Sequence, residues 1–170
     1  MMNVRTVATI SAIVLSGGLF GFFFTMQFSI MPGLDLTEPY SALLANMMIG
    51  RATQSSYLIV LLLGTPVTLG VAMALSMRTL ERDGISYLGS ALLSWMAMLA
   101  VTLFFNVPLN QVLDGLILTP DMADATERWA AYSQEWQQWN LARVLFSVLS
   151  SVFAVLALIR QRKNLQIVLR

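Results

Sequence analysis

Asn106, Asn110 and Asp114 stand at i, i+4 and i+8, so they share a face wherever a helix persists. Asn140 and Arg143 follow one turn apart. A carboxylate, an arginine and several amides make a set that can move a proton and hold an anion. An arginine this far inside an apolar segment needs an acceptor. Asp114 is its expected partner, followed by the amide oxygens of Asn106 and Asn110; the alternative is that Arg143 snorkels to the headgroups and the asparagines only join helices.

The segments that must position these residues are apolar. Residues 6–34, 52–77, 84–113 and 144–159 contain no charge. A helix crosses a hydrocarbon core of ~30 Å with roughly 20 apolar residues. Only 11% of the chain is charged and 57% is hydrophobic, a stock from which a water-facing surface cannot be built. The expected fold is all-α: a single integral membrane domain over residues 1–170, a transmembrane four-helix bundle. Its spans cover about 4–30, 57–77, 87–113 and 139–159, with short interfacial helices in the two outer loops. The lipid bilayer is the first partner. A net charge of +1 makes no case for nucleic acid.

The chain has no cysteine and no histidine. Disulfides, thiolate metal sites and thiol relays are excluded, and the commonest metal ligand is missing. The expectation is no metal and no cofactor.

Local signals mark the joints. Met31-Pro32-Gly33 should end span one. Thr37 should cap a short helix over Tyr40–Ile49 that lies on the membrane or dips into the bundle mouth. Gly64-Thr65-Pro66 should kink span two. Arg78 to Gly84 reads as a tight polar turn. Thr119-Pro120-Asp121 should open an outer helix. On that helix Trp129, Tyr132, Trp136 and Trp139 share one face, suited first to anchoring at the headgroups and otherwise to a lid over a cavity. In span one, Gly17 and Gly21 form a G-x-x-x-G that serves packing inside the bundle or an oligomer. Seven of the ten basic residues fall on the side of the termini and the middle turn, which puts both termini in the cytoplasm. The membrane is then a plasma or inner membrane. Ser29, Asn106, Asn110, Trp136, Trp139, Asn140 and Arg143 gather at the opposite, outer end. That end is the expected site for a hydrophobic aromatic or lipid-like small molecule.

Three segments carry a resemblance: Ser29-Ile30-Met31-Pro32-Gly33-Leu34, Asn106-Val107-Pro108-Leu109-Asn110 and Trp136-Gln137-Gln138-Trp139-Asn140-Leu141-Ala142-Arg143. Together they resemble the anthrone oxygenase-like family of small four-span membrane proteins. Members often carry an asparagine–arginine pair after a short helix, to which the separated Asn46 and Arg51 correspond here. The resemblance implies oxidation of polyphenolic anthrones to anthraquinones without metal or flavin. It then implies a base, for which Asp114 is the candidate if burial raises its pKa and Glu135 the next, and an anion held by Arg143, Asn106, Asn110 and Asn140. The competing reading is a non-catalytic membrane protein that binds a lipid, a quinone or a partner helix. Transport ranks lowest, because no ionisable residue falls near the expected midplane.

Overall fold

The structure is a computed structural model that describes residues 3–53, 56–78, 82–117, 119 and 122–168. Among them the chain forms five helices and no strand. They are α1 (Val4–Asp35), α2 (Pro39–Thr53), α3 (Ser56–Arg78), α4 (residues 82–114) and α5 (Ala125–Val168). Four of them, all but α2, are long and apolar enough to cross a membrane. They form a ring in which α1 packs on α5 and α3, and α4 packs on α5 and α3.

Helix α1 begins at Asn3, whose Oδ1 accepts the Thr6 N–H at 2.8 Å. It does not stop at Met31-Pro32-Gly33 as expected. It widens into a π turn over Met26–Ile30 and runs through Pro32 to Asp35. Helix α4 does the same, with a π turn over Thr102–Asn106 ahead of Pro108. A proline lacks the N–H and crowds the carbonyl four residues back, and a wider turn relieves that conflict without breaking the helix. Both π turns pack against α5. Helix α3 continues through Pro66, and the hydroxyls of Thr65 and Thr68 donate to the carbonyls of Leu61 and Gly64 in their own helix.

The short outer helix α2 is where the sequence put it, but its cap differs. Glu38 accepts the Tyr40 and Ser41 amides at 2.9 and 2.8 Å, while Thr37 donates back to Leu34 O. Those amides hold the Glu38 carboxyl below its usual range. The second outer helix is not separate from span four. Both belong to α5, whose 44 residues extend roughly 66 Å at 1.5 Å per residue. It starts after Asp124, which pairs with Arg128. Pro120 and Asp121 of the expected start, and residues 79–81 of the polar turn, lie outside the described residues.

The core changes character along the bundle. At the end holding the middle turn, Ala8, Ala12, Leu69, Ala72, Leu88, Ala91, Ala154 and Ala157 form one buried cluster. At the other end, Met26, Met31, Leu43, Leu113, Trp129, Tyr132 and Trp136 form another. The aromatic face of α5 therefore turns inward. Trp129, Tyr132 and Trp136 are buried rather than anchored at the headgroups, because α2 and the outer ends of α1 and α4 cover them. A Cβ at Gly17 or Gly21 would meet nothing within 4 Å, whereas one at Gly18 would lie 2.9 Å from Leu61. The close approach of α1 and α3 uses Gly18, not the G-x-x-x-G pair.

Candidate functional site

The outer end encloses a cavity of about 370 Å³, within the range of small-molecule sites. Helix α1 gives Phe22, Phe23 and Met26, and α2 gives Asn46 and Met47. Helix α3 adds Leu58 and Leu62, α4 adds Asn110 and Asp114, and α5 adds Tyr132, Trp136 and Arg143.

Arg143 is the unusual element. It is 5% exposed, and its Cζ sits 4.6 Å from the Phe23 ring centroid and 4.8 Å from that of Trp136. Two ring faces supply cation–π stabilisation. Its Nη2 donates to Asn140 Oδ1 at 2.9 Å, and Asn140 Nδ2 donates onward to Phe23 O and Gln27 Oε1. Buried Arg143 Nε has no hydrogen-bond partner among the described residues. The expected Arg143–Asp114 pair does not form. Asp114 faces Arg51 instead, with Nε and Oδ1 3.9 Å apart and its side chain 35% exposed. The carboxylate at the end of α4 stands at the cavity mouth, while Arg143 lies two helical turns deeper than Trp136, on the wall formed by α5. Both line the cavity without pairing.

A second polar chain crosses the outer wall. Asn46 Nδ2 donates to the Tyr132 hydroxyl at 2.8 Å, which donates to Asn110 Oδ1 at 2.9 Å. Trp136 Nε1 donates to the same oxygen at 3.0 Å. Asn106 is fully buried behind that wall, its Nδ2 donating to Trp136 O at 3.3 Å. So Asn110, Trp136, Asp114 and Arg143 meet at the cavity, and Asn106 and Asn140 brace it from outside. Ser29 is exposed and does not line it. Trp139 stacks on Phe105 at 3.5 Å, also away from it. Glu135 is exposed on the outer part of α5 and is likewise not a lining residue.

Asn46, Tyr132, Gln27 and Phe23 were not among the expected site residues. The signal for Tyr132 was its place on the aromatic face, and for Gln27 an amide inside a charge-free span. Asp35 also acts here: it accepts from the Ser133 hydroxyl at 2.6 Å and from Gln137 at 2.9 Å, fixing the end of α1 to α5. Among the described residues no three acids come together to hold a metal ion.

Residues 42–153 match a family model described as anthrone oxygenase. The match contains the cavity residues of α2, α3, α4 and α5, and leaves out those of α1. No curated protein and no solved structure matches the chain.

Proposed function

The chain belongs to the anthrone oxygenase family, and on that premise we propose that it binds an electron-rich aromatic molecule in the outer cavity and oxidises it with dioxygen. The observation that carries this is Arg143, a buried guanidinium between two aromatic rings, facing a cavity and paired with no carboxylate. A buried cation in that state favours an anionic ligand. A planar phenolate or enolate supplies the charge, and its rings fit walls built from Phe22, Phe23 and Trp136.

The chemistry for an anthrone-type substrate runs as follows. Asp114 takes a proton from the activated CH₂ carbon. The electron pair delocalises onto the ring oxygen, which Arg143 stabilises. Dioxygen adds at the carbanion carbon, the peroxide anion takes back the proton held by Asp114, and the resulting hydroperoxide loses water to leave a carbonyl. One substrate and one O₂ give one quinone and one H₂O. The chain's own residues bind, orient, move the proton and exclude water, and this reading needs no bound metal or flavin.

The test is oxygen uptake by metal-free protein in nanodiscs with anthrone. Asp114→Asn keeps the shape and removes the base, so turnover should fall by about 10²-fold. Full activity in that variant would remove Asp114 from the scheme and leave the role of Arg143 standing. Oxygen uptake no faster than the protein-free control, with anthrone still bound, would select the second reading, a binding protein for a lipid or quinone. The exposure of Asp114 at the mouth, beside Arg51, favours that alternative.

The basic residues support an orientation with both termini cytoplasmic and the cavity on the outer side. A reporter fused near Asp124 should then read as external, and a cytoplasmic signal there would reverse the orientation.

A further inference from the structure

The cavity has a side as well as a mouth. Helix α3 packs along residues 82–101 of α4, then hardly touches the π turn and the segment beyond it. The two helices part where α4 enters its π turn, ahead of Pro108. The edges of the seam are Leu58, Ile59 and Leu62 on α3 and Thr102 and Val107 on α4, all of which line the cavity. Ile59 is at once a cavity residue and 49% exposed. The one hydroxyl on the lower edge, Thr102 Oγ1, donates to Met98 O at 2.9 Å, so the seam presents methyl and methylene groups. Above it stand Arg51 of α2 and Asp114 of α4, 3.9 Å apart. Toward the mouth, Gln111, one turn beyond Val107, is an exposed polar lining residue; Val60 at 60% and Phe104 at 73% are exposed apolar residues on the same two helices. Such groups on a span face acyl chains.

We propose that the gap between the outer halves of α3 and α4 is a lateral portal through which an apolar aromatic ligand passes from the adjoining lipid leaflet into the cavity. This rests on the reading of the cavity as the ligand site and deepens it: the substrate class is a molecule dissolved in the bilayer rather than in water. The route follows from solvation. A neutral polycyclic phenol partitions into hydrocarbon, and the seam offers it an unbroken apolar path that ends at Arg143. The Arg51–Asp114 pair guards the aqueous side. Proton loss inside the cavity would then trap the molecule as an anion, since a charged ring leaves through an apolar seam only at high cost.

Photolabelling tests this without turnover, so its failure is distinct from failure of the enzyme reading. The protein in nanodiscs is illuminated with a phenyl diazirine that partitions into lipid, or with its sulfonated, water-confined analogue. Labelled residues are then located by peptide mass spectrometry. The lipid-borne probe should label the cavity walls Phe23 and Trp136 as well as the outward Val60 and Phe104. Ile59→Trp, and separately Val107→Trp, should abolish label on Phe23 and Trp136 and spare Val60 and Phe104. The spared positions show that each variant is folded. Cavity label from the sulfonated probe alone would overturn the portal in favour of the aqueous mouth. So would lipid-borne label confined to outward residues in the unaltered protein, or cavity label undiminished in both tryptophan variants.

Discussion

The two ends of the bundle solve the same problem with different residues. At the end holding the middle turn, the core is alanine: Ala8, Ala12, Ala72, Ala91, Ala154 and Ala157 bring four helices together. Hydroxyls there are satisfied close at hand. Ser16 and Ser76 bond to Ala12 O and Ala72 O, and Ser150 reaches across to Ala91 O at 2.9 Å. Small side chains allow close backbones, and association in lipid comes from packing rather than from expelling water. At the outer end the core is Phe, Met, Tyr and Trp, crossed by amides and bent by two π turns. Rings and widened helices cannot close the space, and a cavity results. Tight packing is a property of small residues at helix crossings, while the outer half gives it up for a shaped, polar-edged void.

The comparison predicts that function and stability separate along the bundle. The largest expected effect is at Arg143. Arg143→Met should cut anthrone turnover by about 10²–10³-fold, as for loss of an oxyanion-stabilising group. Its stability cost should stay below about 2 kcal/mol. Asn140 Oδ1 loses a donor, but relief of a buried, carboxylate-free charge offsets part of that. Thermal unfolding in detergent checks this, and a loss of folding would show that Arg143 holds the outer half together as well.

Ala157→Leu should act in the opposite sense. Ala157 is 0% exposed at the alanine crossing, and overpacking such a core costs about 1–3 kcal/mol. The melting temperature should drop while anthrone affinity of the folded fraction is unchanged. Equal loss of affinity would mean that the two ends are coupled and the division is wrong.

The smallest effect is at the rim of the outer half. The Glu38 carboxyl is held below its usual range by the Tyr40 and Ser41 amides. A depressed pKa contributes stability above the unfolded value, and that contribution is lost as pH falls through the folded one. The Tyr40 and Ser41 amide resonances should therefore shift only at pH below the usual glutamate titration range. Glu38→Gln should remove that titration and leave the alanine end untouched.

Some of this was legible in the chain. The charge-free segments marked the spans: three exceed the roughly 20 residues a crossing needs, and the fourth, residues 144–159, reaches that length only with the turn that holds Asn140 and Arg143. Asn110, Trp136, Asp114 and Arg143, candidates in the sequence because amides and charges inside spans avoid lipid, all line the cavity. Asn46 was visible only as half of a separated pair, and Gln27 not at all, because a single amide in an apolar run has no periodicity to mark it. One proline misled for a local reason. Pro32 read as a terminator, whereas span three was expected to run through Pro108; at both, surrounding helices supply enough packing to carry a π turn ahead of the proline.

By itself, then, the sequence determined that four helices are long and apolar enough to cross a membrane, and the supply of polar groups, because these depend on composition and length. Which groups meet was decided by tertiary structure. Asp114 pairs with Arg51 rather than Arg143, the aromatic face of α5 turns inward under α2, and Gly18 rather than Gly17 or Gly21 marks the close helix contact. Each outcome depends on how one helix is rotated against another. Rotation is set by the summed packing of all neighbours, and no local spacing encodes it.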